Sequence, residues 1–229
     1  MTERHENLTP LAHSASNRCF GCGPANPSGL RLEFLLADDG SVVSLPVVTN
    51  AFEGHPGYLH GGVIATLLDE AMSKAVRFRA AVQVNDFLPM SRRDIVAFEG
   101  PELAWKRALA AARLGLDDLD LVETHDCFTI AELIEYEAMG LTPKGEGARA
   151  ILEGWTEKDG KLPINPSGGL KSKGHPIGAT GVSMHVLAAM QVTGKAGGIQ
   201  VPDAALAGLF NMGGAAVANF VSILEPLRT

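Results

Sequence analysis

Eight residues, Gly174-His175-Pro176-Ile177-Gly178-Ala179-Thr180-Gly181, constrain the fold of this chain more than any others. Glycine and proline punctuate the segment, so its first part reads as loop. It closes a long irregular stretch, residues 162–176, that also holds Asn165-Pro166-Ser167-Gly168-Gly169. Residues 179–193 then form an apolar, small-residue run of buried-helix length. A histidine is thus held just ahead of a buried helix. In α/β folds, strand ends and helix N-termini are where ligands bind.

The surrounding text supports an α/β reading. Residues 119–124, 206–211 and 215–224 read as short buried strands, the last two around Gly213-Gly214. Residues 101–114 form an amphipathic, alanine-rich helix closed by Gly115, residues 129–139 a helix capped by Gly140, and residues 148–153 a short helix. Residues 83–98, with Ser91-Arg92-Arg93-Asp94, read as mixed text and loop.

Three loop segments can converge in such a fold. They are His125-Asp126-Cys127-Phe128 after a strand, the segment around His175, and Asn211-Met212-Gly213-Gly214 between two strands. A histidine at a helix start can polarise a carbonyl or remove a proton, and adjacent backbone N–H groups can hold an oxyanion. Cys127 can exchange a proton or attack if a neighbour stabilises its thiolate. Singly, each has a plainer reading: a structural loop histidine, a buried inert thiol, glycines in turns. Their joint occurrence in this order is what points to chemistry.

That order closely resembles the C-terminal half of a thiolase. More narrowly, it resembles the sterol-carrier-protein-linked, lipid-transfer type of acetyl-CoA acetyltransferase, over about residues 84–228. The resemblance implies half of a layered α/β fold and Claisen-type acyl transfer between acyl-CoA thioesters. It implies that His125 and His175 line the oxyanion site for the thioester oxygen, that His175 also helps activate the nucleophile, and that Cys127 is the acid/base thiol. Backbone N–H groups near Gly213, in the loop of Asn211 and Gly214, would serve a second oxyanion site. Many thiolases carry the acid/base thiol in a Cys-x-Gly segment, where this chain has Asn211-Met212-Gly213. That departure is the one expected of the lipid-transfer subgroup. A thiolase draws its acyl-accepting cysteine from its N-terminal half, which this text does not supply. The expectation is a unit inactive alone.

The first third reads differently. Residues 1–17 are polar and read as a mobile lead-in, and residues 18–29 are turn-rich. Residues 30–36 and 41–49 read as strands joined at Asp38-Asp39-Gly40, followed by a Gly/Pro loop at 54–57. Residues 61–79 read as a helix with Val63, Ile64, Leu67, Leu68, Ala71, Met72 and Ala75 on one face. His60-Gly61-Gly62 directs the first helical N–H groups into the loop, where a thioester carbonyl would feel them. Asp69 or Glu70, further along, could activate water. The plain alternative is a turn and a solvated helix edge.

Cys19-Phe20-Gly21-Cys22-Gly23, Asn26-Pro27-Ser28-Gly29-Leu30, Pro56-Gly57, His60-Gly61-Gly62 and Thr66-Leu67-Leu68-Asp69-Glu70-Ala71-Met72 together resemble a hotdog-fold acyl-CoA thioesterase of the phenylacetate-pathway type. The resemblance covers about residues 15–79. It implies thioester hydrolysis with Asp69 or Glu70 as base and the Gly61 and Gly62 amides as oxyanion donors. It also implies a partial hotdog (α+β) segment, because most hotdog strands follow the helix and here thiolase-like text follows instead. Cys19 and Cys22 are a lone thiol pair with no second pair in sequence, so no metal is expected.

The two texts meet near residues 79–84, and the chain reads as a chimera: a lead-in 1–17, a thioesterase-like segment 18–80 and a thiolase-like domain 81–229. A net charge of −7 without a basic run argues against nucleic acid. No apolar stretch approaches the roughly 20 residues of a membrane span. Three cysteines and a polar N-terminus without an apolar signal core favour a reducing, cytoplasmic compartment. No permanently bound cofactor is expected; a coenzyme A thioester is the substrate. Three functions remain open: a thiolase-type acyltransferase half, a thioesterase completed by a partner's strands, and a non-catalytic subunit docking on a thiolase half. The expected partners are acyl-CoA and either a second copy or a thiolase N-terminal half.

Overall fold

A computed structural model describes residues 8–38, 41–44, 46 and 49–227 of the chain. It divides into two compact units, Met1–Ala75 and Val76–Thr229. Among the described residues no helix is long and apolar enough to cross a membrane.

In the first unit β1 (Leu8–Pro10), β2 (Leu35–Ala37) and β3 (Val42–Val43) form an antiparallel sheet in that order. The lead-in is thus partly structured, since Leu8 pairs with Ala37 and Pro10 with Leu35. The strand expected at 30–36 is displaced toward its C-terminal end, and Arg31 at φ 51° interrupts its start. Asp39 and Gly40 of the expected turn lie outside the described residues. β4 (Glu53–His55) and β5 (Tyr58–Leu59) form a separate hairpin. Pro56 and Gly57 turn it, and Gly57 takes φ 81°, a conformation that glycine adopts without steric cost. α1 (Gly61–Ala75) follows. Its Leu67 and Ala71 pack on a small core of Cys22, Leu32 and Phe34. The strands fall into two small sheets, so the hotdog likeness of this unit rests on its motifs alone.

α1 stops at Ala75, where the sequence pattern predicted helix to 79. The chain instead enters β6 (Val76–Asn85), which pairs along its length with the last strand of the protein. Val76 and Phe78 favour extended backbone, and the ladder supplies partners that outweigh continuation of the helical stripe.

The second unit continues with α2 (Glu99–Ala112), β7 (Leu121–Thr124), α3 (Thr129–Met139), α4 (Gly147–Leu152), α5 (Gly169–Lys173), α6 (Thr180–Val192), β8 (Ala207–Gly213) and β9 (Ala218–Pro226). Its sheet has the order β6-β9-β8-β7, with β7 and β8 parallel and the other pairs antiparallel. Alternation along β9 separates the faces. Val221 and Ile223 join the core of Ala104, Trp105 and Ala108 from α2. Ser222, pointing the other way, meets His185 of α6 at 3.1 Å. Helices therefore cover both faces. Contact with α2 is close enough that a Cβ on Gly208 would lie 2.9 Å from the Trp105 ring.

α2 begins two residues before Pro101, which a first helical turn tolerates because the amide there needs no partner. It is capped by Arg113 at φ 58° rather than closed by Gly115. The stretch expected as continuous loop, 162–176, contains the short α5.

Candidate active site

Register creates the site. β7 and β8 run parallel with Thr124 opposite Phe210, so His125 and Asn211 emerge side by side at the strands' C-terminal ends. The His125 Nδ1 lies 2.6 Å from the Asn211 Oδ1. The amide nitrogen of Asn211 faces α6, where a Cβ on Gly181 would approach it to 3.0 Å. With the amide oxygen toward the ring, His125 donates from Nδ1 and leaves Nε2 uncommitted. The residue is 5% exposed. Burial holds its imidazole below the ordinary range; the Asn211 bond works against that shift and the nearby His175 adds to it.

His175 comes from the loop ahead of α6. Its ring meets that of His125 edge to face, with centroids 4.8 Å apart and planes at 87°. Its Nδ1 lies 2.7 Å from the Thr180 Oγ1. The Thr180 hydroxyl also lies 3.2 Å from the Pro176 carbonyl; with its proton given there, the hydroxyl accepts from His175 Nδ1 and Nε2 carries the lone pair. His175 is exposed while Thr180 is buried.

Polar residues of the Asn165–Leu170 motif tie the loop that carries His175 to the strand that carries His125. Asn165, at φ 50°, accepts the Thr124 N–H at 2.8 Å and donates its own N–H to the Val122 carbonyl at 2.8 Å. The buried Glu123 accepts from the Ser167 hydroxyl at 2.7 Å and from Lys173 at 3.3 Å. Asp126, 1% exposed, accepts the Leu170 N–H at 2.6 Å. Gly169, at φ +67°, makes room for that carboxylate, because a Cβ there would stand 2.7 Å from the Asp126 Cγ.

Cys127 is half-buried beside the core. Burial, then the neighbouring Glu135 carboxyl, pushes its thiol up. Among the described residues no imidazole hydrogen-bonds it. Glu135 is itself fully buried, and desolvation raises its carboxyl well above the usual range although the Thr124 hydroxyl donates to it at 2.5 Å. Gly213 ends β8, and Gly214, Ala215 and Ala216 turn the chain with φ of 63°, 51° and 65°. Arg93 clasps this turn, donating to the Ala215 carbonyl at 2.6 Å and to the Gly214 carbonyl at 3.3 Å.

The thioesterase-like residues lie in the first unit. His60 accepts the Gly62 N–H on its Nδ1 at 3.0 Å, so that amide is engaged locally. Gly61 opens α1. Asp69 sits on the same helix, and its side chain lies outside the described residues. Glu70, 8% exposed, turns to the thiols: the Cys19 Sγ is 2.8 Å from its Oε1. Burial opposes its charge, yet hydrogen bonds from Cys19 and Cys22 and the Lys74 ammonium hold the carboxyl below its ordinary range. The Cys22 thiol is pushed up to about 11, chiefly by burial and then by Glu70.

Sequence reasoning named both histidines and Asn211 but gave no part to Thr180, Asp126, Asn165 or Arg93. The first three lie inside the quoted motifs as short polar side chains: Thr180 opens α6, Asp126 follows the end of β7 and Asn165 precedes Pro166.

Residues 81–226 match the family described as thiolase C-terminal domain-like. An acetyl-CoA acetyltransferase from Methanothermobacter thermautotrophicus is 40% identical over 151 residues, covering 66% of this chain and 39% of that protein. Sterol carrier protein 2 from Oryctolagus cuniculus is 43% identical over 161 residues, covering 67% of this chain and 29% of that protein. Among solved structures, a chain of the Ltp2-ChsH2(DUF35) aldolase aligns with a TM-score of 0.58 at 22% identity, covering 67% of this chain and 40% of its own, a likeness of fold. The chain thus spans about two fifths or less of the length of these relatives.

Proposed function

The chain belongs to the thiolase C-terminal domain-like family, and on that premise we propose that residues 76–229 provide the histidine-bearing half of a thiolase-type acyl-CoA site. The observation that carries this reading is the His125–His175 pair, each ring fixed through Nδ1 by its own partner. The thioester oxygen binds beside His175, the exposed ring of the pair. His175 Nε2 removes the proton of an attacking thiol, and the N–H so formed donates to the developing oxyanion. Cys127, whose thiol stays protonated at neutral pH, fits the acid role: it delivers a proton to the carbon or sulfur that leaves. The second unit's one cysteine is Cys127. We therefore assign the acyl-accepting nucleophile to a thiolase N-terminal half on another chain or segment, and coenzyme A thioesters are the substrates.

The test is CoA-dependent cleavage of a 3-ketoacyl-CoA, with the chain alone and mixed with a thiolase N-terminal half. No turnover alone, activity on mixing, and its loss in His175→Ala support the proposal. Thiolysis by the chain alone that disappears in Cys127→Ala overturns it, since Cys127 would then be the nucleophile. Hydrolysis without added CoA, lost in Asp69→Asn, would instead support the thioesterase reading. Stable association without turnover, unchanged by His175→Ala, would mark a non-catalytic subunit.

A further inference from the structure

In the first unit Cys19 Sγ, Cys22 Sγ and a Glu70 carboxylate oxygen lie within 4.8 Å of one another. Tetrahedral zinc with two sulfur ligands and one oxygen places such atoms roughly 3.6–3.8 Å apart. We propose that Cys19, Cys22 and Glu70 bind a divalent transition-metal ion of the zinc class. This reading stands apart from the thiolase-type site, which uses none of these residues.

The pocket is built by steric requirement. The Gly23 N–H donates to the Cys19 carbonyl at 3.0 Å and closes the turn that brings both thiols to one side. A Cβ on Gly23 would sit 2.5 Å from that carbonyl oxygen, and one on Gly21 would sit 2.5 Å from the Glu70 Cδ. One glycine permits the turn; the other permits the carboxylate to approach it. Asn17 braces the pair from outside, accepting the Cys19 N–H at 2.9 Å and pointing its amide nitrogen at the Cys22 Sγ from 3.8 Å. Such outer partners orient metal ligands. Cys22 is 4% exposed and Glu70 8%.

Charge and donor chemistry agree. Two thiolates and one carboxylate carry three negative charges. A divalent ion supplies two positive charges, and Lys74, 3.8 Å from both Glu70 Oε2 and Cys22 Sγ, supplies the third. Soft thiolates select zinc-like ions over magnesium or calcium. His13 lies outside this group of three, and its Nε2 is buried without a hydrogen-bond partner among the described residues. As each Sγ–metal bond forms, the thiol proton leaves to solvent.

The experiment uses the full chain, freed of metal by chelation under reducing conditions and then titrated with cobalt(II) or zinc(II). The expected result is about one ion per chain and a cobalt spectrum with sulfur-to-metal charge transfer at an intensity for two thiolates. Zinc should displace the cobalt and release protons. Cys22→Ser should abolish binding, Cys127→Ser should leave it intact, and Asn17→Ala should weaken it about 10–100-fold, as expected for an outer partner. No charge transfer in the wild-type chain overturns the proposal without recourse to any variant that fails to fold. So does equal loss in Cys127→Ser, or a Cys19–Cys22 disulfide that persists in reductant.

Discussion

Replacing Gly169 with alanine should be among the most damaging single-carbon additions in the second unit. Two costs combine. The residue takes φ +67°, where an L side chain costs about 1–2 kcal/mol, of which roughly 0.5–1 kcal/mol is regained because alanine loses less freedom on folding. The new Cβ would also stand 2.7 Å from the Asp126 Cγ, and that carboxylate cannot retreat without losing the Leu170 N–H. A charge-assisted bond of this kind is worth about 1.5–3 kcal/mol. The sum is about 2–4 kcal/mol. Gly140→Ala is the control, since Gly140 is left-handed at φ +88° with nothing within 4 Å of its Cβ position, so only the conformational part, about 0.5–1 kcal/mol, applies. Both tryptophans, Trp105 and Trp155, lie in the second unit, so fluorescence-detected urea unfolding reports that unit alone. In an Asp126→Ala background the extra cost of Gly169→Ala should vanish. Equal losses for the two glycine variants, or an undiminished loss without Asp126, would refute the reasoning.

His125 is held below its ordinary pKa of about 6.5, so the unfolded chain takes up the proton first and stability falls as pH drops through that value. His125→Gln should flatten the acid-side decline of Tm in the range of about pH 5–7; superimposed profiles would mean the ring is not desolvated. Glu135 behaves oppositely. Its folded carboxyl binds the proton more tightly than the unfolded one, so its contribution is intact below about pH 4.3 and declines above it. Glu135→Gln should match the wild type in acid and exceed it in Tm near pH 8; a less stable variant at the higher pH would contradict this. Cys127, with its thiol pushed up, should react with iodoacetamide at neutral pH at least about 10-fold more slowly folded than in urea, read by peptide mass spectrometry. A folded rate equal to the unfolded one would show the thiol to be unperturbed.

Local signals were legible where local physics decides. The helix at Thr129–Met139 and its left-handed Gly140 follow from apolar spacing and a terminal glycine. Residues 76–85 were read across a helix end and a loop because their strand exists only through pairing with residues 218–226, which no local pattern reveals. The site shows the same division. His125, Cys127 and His175 stood out as motif residues. That Asn211 fixes the His125 ring required the parallel register of β7 and β8. That Thr180 meets the His175 Nδ1 required knowing how the loop ahead of α6 folds back on the helix start. Glu70 read as half of a general-base pair because its thiol partner Cys19 is 51 positions away, beyond any spacing rule.

The strand Val76–Asn85 also bears on how the molecule can be dissected. The family match starts at residue 81, yet the ladder starts earlier: Val76 faces Pro226, Phe78 faces Leu224 and Ala80 faces Ile223. Arg79 reaches across to the Ala112 carbonyl at 2.9 Å and to Glu225 at 3.0 Å, closing the end of α2. A fragment cut at the family boundary would leave the last four residues of β9, Ile223 to Pro226, without their partner on that edge, the kind of surface on which strands of other molecules add. Expressed from residue 76, the same fragment keeps its own selvage.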